Sequence, residues 1–518
     1  MLAILIFLAT LFGFLFYSFG LPPLVGFLLA GFIFNLTELK PPEGLNIVAD
    51  LGVYLLLFCI GLKVKIKNLA RKDVLIITTS NISLNVIIIV GLFILFSKAS
   101  GVTNNLNYLE YLILGVALSF SSTVFAVKTF EDRGELTALY SILVVGILIL
   151  QDLLAALILA VAEGSYPNMY GLLLFLFYPL RSTLYKLLNW IGHDELLVLF
   201  GFFLSLVIGV SLFEIFGIKG ELGALFMGML IANHKKADEL GKSLFSIKEF
   251  FLVGFFLSIG INGTLSYSVL ILGTLLLLTL PIRFLLYFFS FVFFRFRART
   301  ALFSSLSLAT FSEFGLVVIG IAVSSGMLDS SWLVVMAIAI SFSFLISAPL
   351  NKHSESIYEK YKDKLLLMQS KFLKKEDDVG NVKDAKILVI GMGRVGTGAY
   401  DEYRQTFDDQ VLGVEQNTDK VLMHLEMDRN VVIGDANDID FWSNLVGKDL
   451  DTIILAMPEH NSNLDAAIQI KNMGISVSVL AVARFDEEVH ELESLGVKAF
   501  NIYSEAGVGL AKHGQSLI

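Results

Sequence analysis

The rest of the chain is interpreted from one apolar stretch, Ser141-Ile-Leu-Val-Val-Gly-Ile-Leu-Ile-Leu-Gln151-Asp152-Leu-Leu-Ala-Ala-Leu-Ile-Leu-Ala-Val161. A single helix needs about 20 apolar residues to cross a bilayer, and this stretch meets that need. Yet an amide and a carboxylate stand side by side near its middle, where a carboxylate costs at least about 2.5–3.5 kcal/mol. Intramembrane acids mark ion pathways, so the pair predicts a cation or proton site facing a cavity in a helix bundle. The alternative is a packing carboxylate tied to another helix.

The composition is that of a membrane protein. Of the 518 residues, 56% are hydrophobic and 16% are charged, and the mean hydropathy of +0.76 excludes an ordinary soluble protein. The net charge of −9 does not favour nucleic-acid binding. Met1-Leu-Ala-Ile-Leu-Ile-Phe7 lacks a basic region and a cleavage site, so it predicts a first transmembrane helix. The single cysteine, Cys59, excludes an intrachain disulfide framework.

Apolar segments predict thirteen membrane spans within residues 1–350. They lie at about 1–19, 22–36, 45–62, 73–97, 107–128, 136–162, 168–190, 195–216, 219–233, 248–263, 266–294, 301–325 and 331–350.

Basic residues are distributed unevenly between alternate connections of these spans. One set of connections holds sixteen, namely Lys63, Lys65, Lys67, Arg71, Lys72, Lys128, Arg133, Arg181, Lys186, Lys235, Lys236, Lys242, Lys248, Arg295, Arg297 and Arg299. The opposite set holds three, namely Lys40, Lys98 and Lys219. Because basic connections stay in the cytoplasm, this bias predicts an N-terminus outside and a C-terminus inside.

The pattern of apolar residues changes after residue 350. Residues 351–384 predict a charged helical linker in the cytosol. From Ala385, short apolar runs alternate with helical stretches, and the runs lie at 386–390, 411–415, 430–435, 451–457 and 477–482. This alternation is typical of βαβ units, so residues 385–518 are predicted to form a Rossmann-like domain with a doubly wound parallel sheet.

A glycine-rich turn, Gly391-Met-Gly393-Arg394-Val395-Gly396, follows the first of these strands. Such glycines let backbone N–H groups approach a phosphate at the N-terminus of a helix. Glu415 ends the second strand, where an acid binds ribose hydroxyls, and Asp435 and Ala436 end the third, near the expected adenine. The turn predicts nucleotide binding, and the alternative is a Rossmann-like fold that has lost its ligand.

A membrane-bound dehydrogenase is the enzyme alternative. It would need a substrate domain with a catalytic acid or base, and only 36 residues follow Val482. The four histidines of this part are predicted to be exposed surface residues, namely His424, His460, His490 and His513. The sequence therefore predicts a protein that is not an enzyme.

Further polar residues interrupt the apolar segments. One interpretation of Ser119-Phe-Ser121-Ser122-Thr123 is an unwound stretch whose hydroxyls and carbonyls coordinate a cation. The alternative is that these hydroxyls form hydrogen bonds with their own helix. Arg283 lies in an apolar run beside Pro281 and requires an anion, for which Asp152 and Glu313 are the candidates. The alternative for Glu313 is contact with water at the cytoplasmic half of its helix.

The stretch from Ala117 to Glu135, followed by Gln151-Asp152, resembles Kef-type potassium–proton antiporters of the monovalent cation:proton antiporter-2 family. Phe58–Leu62, Gly223–Ala232 and Ser312–Phe314 are similar to that family as well. Residues 385–518 resemble the nucleotide-binding domain, called RCK or TrkA-N, of potassium channels and Kef systems. The resemblance covers nearly the whole chain.

The resemblance implies an α-helical membrane domain, like that of sodium–proton antiporters, with about thirteen helices and inverted repeats. It implies that helices carrying Ser121–Thr123 and Gln151–Asp152 cross at the midplane. One carboxylate beside one amide suits a single monovalent cation, with neutral oxygens from Gln151, Ser121, Ser122 and Thr123. It also implies a homodimer formed through the membrane and RCK domains, and regulation by an adenine nucleotide, AMP or NAD(H).

Two positions depart from the family pattern. Lys63 stands where Kef proteins carry an acid, and Asp401 stands where glutathione-gated members carry an arginine. Arg484 matches a basic position late in the domain and is the candidate contact of a regulatory ligand. The departures argue against gating by glutathione but not against nucleotide binding.

The sequence thus predicts a multi-pass antiporter of the bacterial inner membrane that exchanges potassium, or another monovalent cation, for protons. The alternatives are a sodium–proton antiporter and a ligand-gated potassium efflux channel, although no filter-like Thr-Val-Gly-Tyr-Gly stretch occurs. The predicted domains are 1–350, 351–384 and 385–518. An ancillary cytosolic regulator is a further candidate partner, and neither nucleic acid nor a metal other than the transported cation is expected.

Overall fold

A computed structural model describes residues 1–18, 23–37, 39–63, 71–100, 106–133, 135, 138–162, 177–192, 195–215, 220–262, 266–377, 385–436 and 438–515. Of the positions discussed above, Lys65, Lys67, Lys219 and parts of the predicted span 168–190 and of the linker lie outside the described residues. The chain divides into two compact units. The first comprises Met1–Thr129, Leu143–Phe294 and Ala301–Met368, and the second Phe130–Ile142, Arg295–Thr300 and Gln369–Ile518.

Seventeen helices are described between residues 2 and 368. They are α1 (Leu2–Ser18), α2 (Pro23–Asn35), α3 (Leu45–Lys63), α4 (Lys72–Ser100), α5 (Tyr108–Ser119), α6 (Thr123–Asp132), α7 (Leu139–Ala162), α8 (Phe177–Trp190), α9 (Glu195–Phe202), α10 (Gly220–Ile231), α11 (Ala237–Asn262), α12 (Tyr267–Leu275), α13 (Thr279–Phe293), α14 (Ala298–Leu308), α15 (Glu313–Ser324), α16 (Ser331–Lys352) and α17 (Ser354–Met368). Helix α9 continues as a π-helix over Phe203–Leu212 and ends with a turn at Phe213–Ile215, and a 3₁₀ turn, Leu276–Leu278, joins α12 to α13.

Seven described segments are long and apolar enough to cross a membrane. They are Lys72–Leu95, Tyr108–Phe130, Glu195–Ile215, Glu239–Ile261, Tyr267–Phe293, Ala298–Ser324 and Ser331–Lys352. Four shorter apolar helices are Leu2–Ser18, Pro23–Asn35, Leu45–Cys59 and Leu139–Ala155. The helical membrane domain is therefore confirmed, whereas the number of thirteen spans stays a prediction.

Glycines set the closest contacts between helices of the first unit. A Cβ atom on Gly61 of α3 would lie 2.3 Å from the Leu225 carbonyl oxygen, and one on Gly228 of α10 would lie 2.2 Å from that of Phe58. Only residues without a side chain allow this approach. Close backbone packing of this kind holds helices together in lipid, where the hydrophobic effect gives no drive between them.

Two of the long apolar segments are interrupted near their middles. Helix α5 ends at Ser119 and α6 begins at Thr123, so the expected unwinding at the serine cluster is present. Helix α14 ends at Leu308 and α15 begins at Glu313, and this second break was not predicted. In residues 120–122 and 309–312, backbone groups that would form hydrogen bonds within an intact helix are therefore available to bond elsewhere.

The second unit contains the predicted doubly wound sheet, and this prediction is confirmed. Six parallel strands are ordered β3-β2-β1-β4-β5-β6. They are β1 (Ile387–Ile390), β2 (Val411–Glu415), β3 (Val431–Ile433), β4 (Thr452–Leu455), β5 (Ser478–Ala483) and β6 (Lys498–Asn501), and the sequence reading missed the sixth. The helices are α18 (Arg394–Phe407), α19 (Thr418–Glu426), α20 (Ile439–Ser443), α21 (His460–Asn472), α22 (Asp486–Ser494) and α23 (Ile502–Gln515).

Candidate ion-binding and nucleotide-binding sites

Gln151 and Asp152 lie midway along α7, and both side chains are buried. The Gln151 Oε1 atom accepts a hydrogen bond from the backbone N–H of Ser121 at 2.8 Å, and its Nε2 atom donates to the Tyr287 hydroxyl at 2.6 Å. The Asp152 carboxylate accepts a hydrogen bond from the Thr123 hydroxyl at 2.9 Å. The structure thus brings the amide–acid pair of α7 to the break between α5 and α6.

The two helix breaks contact each other. The Ser121 hydroxyl donates to the Leu308 carbonyl at 2.8 Å, and the Ser122 backbone N–H donates to the Thr310 hydroxyl at 3.3 Å. The Ser122 hydroxyl donates to the Glu313 carboxylate at 2.9 Å. All of these groups are buried, so the polar groups freed by one break satisfy those of the other.

Arg283 is fully buried, and neutral oxygens surround its charge. Its guanidinium donates to the Leu118 carbonyl, to the Ser119 carbonyl at 3.2 Å and to the Ser121 hydroxyl at 2.8 Å. The two carbonyls end α5, where the helix dipole is negative. The guanidinium also lies 5.3 Å from the centre of the Phe311 ring. Arg283 therefore has partners other than the carboxylates that the sequence suggested.

Glu313 is the second buried acid of this region. It is the first residue of α15, and 3% of its surface is exposed, so it does not take the water-exposed position considered as the alternative. Ser312 caps the helix, because its hydroxyl accepts a hydrogen bond from the Phe314 backbone N–H at 3.1 Å. Within the described residues no basic group lies within 4 Å of Glu313. The positive end of the α15 dipole is favourable for its charged form.

Sequence reasoning missed two members of this network, Tyr287 and Thr310. A signal for the second existed, because Thr310-Phe-Ser-Glu313 repeats the polar character of the serine cluster. The other interpretation of that cluster, a hydroxyl bonded to its own helix, holds for Ser119, which donates to the Val116 carbonyl at 2.7 Å.

The glycine turn of the second unit has the geometry of a phosphate site. Gly391 has a φ of +90°, and a Cβ atom on Gly396 would lie 1.9 Å from the Gly391 carbonyl oxygen. Both positions therefore require glycine. A Cβ atom on Gly393 would meet nothing within 4 Å, and this residue precedes Arg394, the first residue of α18. Open space thus faces a helix N-terminus, which fits a phosphate group.

The other predicted nucleotide contacts lie at the same edge of the sheet. Strand β2 pairs with β1 and β3, so Gly391, Glu415 and Asp435 lie at the carboxyl ends of neighbouring parallel strands. Glu415 accepts a hydrogen bond from the Asn417 backbone N–H at 3.0 Å and lies 3.8 Å from the Lys420 ammonium. The Ala436 carbonyl accepts a hydrogen bond from the Trp442 indole at 2.7 Å.

Two residues of the second unit differ from the sequence picture of this site. Arg484 follows β5, which β4 separates from β1, and its guanidinium lies 3.9 Å from Glu459. His424, expected to be exposed, is buried, and its Nε2 atom bonds with the Met392 carbonyl at 2.9 Å. That expectation was wrong because a carbonyl of the glycine turn faces α19 and gives the imidazole a partner.

Comparisons with known proteins agree with this architecture. Residues 3–352 match the family described as "Sodium/hydrogen exchanger, transmembrane", and residues 387–501 match the TrkA-N domain. The putative cation/proton antiporter YbaL of Escherichia coli (strain K12) is 24% identical over 531 residues, which cover 94% of this chain and 92% of that protein. The glutathione-regulated potassium-efflux system protein KefC of Shigella flexneri serotype 5b (strain 8401) is 22% identical over 511 residues, covering 92% and 78%.

A solved structure of the sodium proton antiporter MjNhaP1 from Methanocaldococcus jannaschii is also similar. The identity is 19% and the TM-score is 0.47, over 71% of this chain and 97% of that one.

Interrupted spans with buried acids, followed by a Rossmann-like domain, define a multi-pass membrane transporter with a C-terminal soluble domain. The family match extends over residues 3–352, well over half of the chain. The chain therefore belongs to the sodium/hydrogen exchanger family. With its TrkA-N domain it is a Kef-like cation–proton antiporter, and the α/β domain is its regulatory domain.

Proposed function

We propose that the protein exchanges potassium, or another monovalent cation, for protons, and that Asp152 binds the two in turn. The observation that carries this proposal is the burial of Asp152 beside a helix break, with Thr123 donating to its carboxylate. Because one carboxylate binds either the proton or the cation, the two compete for it, and exchange follows by alternating access. Gln151 and the hydroxyls of Ser121, Ser122 and Thr123 supply neutral oxygens.

Two arguments support potassium as the cation. The curated relative KefC is named as a potassium-efflux protein. One carboxylate beside a neutral amide also gives a weaker field than two carboxylates, and a weaker field favours the larger, less strongly hydrated cation. A sodium–proton antiporter remains the alternative within the family, and a ligand-gated potassium efflux channel is the alternative outside it.

Proton flux in proteoliposomes tests this function. A pH gradient is imposed at zero membrane voltage, and potassium, sodium and rubidium are compared. We expect proton movement against each transported cation, fastest with potassium. Cation flux that never moves protons would indicate a channel, and a sodium preference would indicate the alternative within the family.

The arrangement in the cell is part of the proposal. We infer a bacterial inner-membrane protein with the N-terminus outside and the C-terminus in the cytoplasm, from the distribution of basic residues. Residues 1–350 form the exchanger domain, 351–384 the linker and 385–518 the regulatory domain. The protein assembles as a homodimer through its membrane and RCK domains, and an ancillary cytosolic regulator is a further candidate partner.

We further propose that an adenine nucleotide, AMP or NAD(H), binds residues 385–518 and regulates exchange. The turn 391–396 holds the phosphate, Glu415 the ribose, and Asp435 with Ala436 the adenine. Arg484, separated from this edge, is the proposed contact of another regulatory ligand. Regulation requires that the nucleotide bind one state of the transporter better than another, since equal binding shifts nothing.

Calorimetry on the full-length protein tests the ligand. We expect AMP or NADH to bind, and Gly393→Asp to abolish binding, because its carboxylate would enter the space next to the helix N-terminus and repel the phosphate. Absence of binding at millimolar nucleotide would contradict the proposal. If binding occurs but exchange does not respond, the domain binds nucleotide without gating.

A further inference from the structure

A small pocket of the second unit adjoins the proposed adenine position. Its volume is about 40 Å³. The lining residues include Arg297, Thr300, Asp377, Gln416, Asp435 and Asp438. Gln416 directly follows the proposed ribose contact, and Asp435 is the proposed adenine contact. A pocket of this size has room for a few water molecules, so it admits the edge of a base and not a whole nucleotide.

Arg297 is fixed in this pocket by two acids. Its backbone N–H donates to the Asp377 carboxylate at 2.6 Å, and its Nε atom donates to the same carboxylate at 3.2 Å. Its Nη2 atom donates to Asp438. The Thr300 hydroxyl also donates to Asp377 at 2.6 Å, and Arg299 lies 3.5 Å from Asp438. These contacts hold the guanidinium in one orientation.

The remaining nitrogen of this guanidinium, Nη1, is buried and makes no hydrogen bond among the described residues. The nearest carboxylate is that of Asp440, at 3.6 Å, which is beyond hydrogen-bonding distance. A buried donor without an acceptor is costly, and such donors usually mark a place where water, an ion or a ligand binds. The pocket thus contains a hydrogen-bond donor, Arg297 Nη1, close to carboxylates, which accept hydrogen bonds.

We propose that this pocket receives the edge of an adenine base, with Arg297 Nη1 donating to a ring nitrogen and Asp435 accepting from the exocyclic amino group. Adenine presents such an acceptor and donor side by side. Hypoxanthine carries a carbonyl in place of the amino group and therefore turns an acceptor toward the carboxylate. The inference rests on the proposed nucleotide regulation and assigns its choice of base to Arg297.

The position of Arg297 in the chain gives this contact a consequence. It stands between α13 and α14, in the short connection that joins two long apolar helices. A base that bonds to its guanidinium changes the balance of contacts that Asp377 and Asp438 make with this connection. Nucleotide binding and the conformation of the connection are therefore linked, and each affects the other equally.

The test compares AMP and IMP as probes on the purified full-length protein by calorimetry. We expect the wild type to bind AMP at least about tenfold more tightly than IMP, as a matched donor–acceptor pair predicts. Arg297→Gln removes the charged donor and should reduce this ratio to about threefold or less. Arg404→Gln is the matched control, because Arg404 pairs with Asp428 outside the pocket, and it should keep the ratio.

The outcomes separate this inference from the proposed function. If the wild type binds neither nucleotide, both are overturned. If it binds AMP and IMP equally, nucleotide regulation stands and the assigned base pocket is wrong. An undiminished ratio in folded Arg297→Gln overturns the role of Arg297. Should that variant not fold, Arg297→Lys keeps the charge but loses the second arm of the guanidinium, and an undiminished ratio there overturns the role as well.

Discussion

The two units compensate their buried arginines in different ways. Arg297 of the second unit lies among the carboxylates of Asp377, Asp438 and Asp440, so acids compensate its charge directly. Arg283 of the first unit bonds to two carbonyls and a hydroxyl. Among the described residues, the contacts of Arg283 include no ion pair with Asp152 or Glu313. The difference is between a buried arginine held by acids in the second unit and one held by neutral oxygens in the first, where Asp152 is the acid proposed to exchange proton and cation.

Removing the proposed ion-carrying acid should have the largest effect. We expect Asp152→Asn to fold and to lose cation-dependent proton flux completely, because the amide can neither titrate nor supply a negative charge. Asp152→Glu should keep part of the flux with altered cation affinity. Asp329→Asn, which removes an acid exposed between α15 and α16, is the control and should exchange normally. Wild-type flux in Asp152→Asn would contradict the mechanism.

Removing an acid that neutralises arginine should affect stability instead. Asp438 is buried, and Asp438→Asn leaves Arg297 and Arg299 short of a counter-charge. We expect a loss of about 3–5 kcal/mol in the free energy of unfolding of the second unit. Denaturant unfolding followed by the fluorescence of buried Trp442 measures it. The control Asp428→Asn removes an exposed acid and should change stability by no more than about 0.5 kcal/mol; equal values for the two variants would contradict the account.

The sequence predicted the local structure of those parts of the two candidate sites that have local signatures. The glycine turn is such a part, since its glycines, strand and helix are contiguous. The serine cluster indicated the first helix break, but the second break, Ala309-Thr310-Phe311-Ser312, contains no glycine or proline and depends on contacts with Ser121 and Ser122. The partners of Arg283 depend on the same long-range packing. The edge strand β6 (Lys498–Asn501) is short and half polar, so its pattern carried little signal.

Glu135 is intermediate between the two ways of using charge. Burial raises the pKa of its carboxyl to about 6, although Arg133 at 2.7 Å and the Tyr140 hydroxyl oppose the shift. The folded state therefore favours the protonated carboxyl group. This preference stabilises the folded state fully below pH about 4.5, and the stabilisation is lost as the pH rises through about 6. The difference in unfolding free energy should amount to about 2 kcal/mol. Unfolding of wild type and Glu135→Gln at pH 4.5 and 7 measures it, and equal pH dependence in both would contradict the assignment.

The amide beside Asp152 should set selectivity. We expect Gln151→Asp to shift the preference between potassium and sodium by about tenfold toward sodium, or to abolish flux, because a second carboxylate strengthens the field and repels Asp152. Gln151→Asn, which keeps a neutral amide, is the control for the lost contacts with Ser121 and Tyr287. Competition between the two cations in the proton-flux assay measures the ratio. An unchanged preference at an unchanged rate would show that Gln151 is structural.

Neutralising the second buried acid should have the smallest effect. In Glu313→Gln the amide oxygen still accepts a hydrogen bond from the Ser122 hydroxyl, so the contact between the helix breaks is kept. We expect flux within about threefold of the wild type, a change of less than about 1 kcal/mol in the barrier. Loss of flux as complete as in Asp152→Asn would mean that both acids carry ions.

Proton release on cation binding tests the central claim most directly. Purified protein is placed in weakly buffered solution at acidic pH, potassium is added, and the released protons are counted with a pH indicator. If Asp152 holds proton and cation in turn, wild type releases close to one proton per bound potassium, and apparent potassium affinity weakens as the pH falls. Asp152→Asn should release none. Potassium binding that is independent of pH, or equal release from Asp152→Asn, would contradict the account.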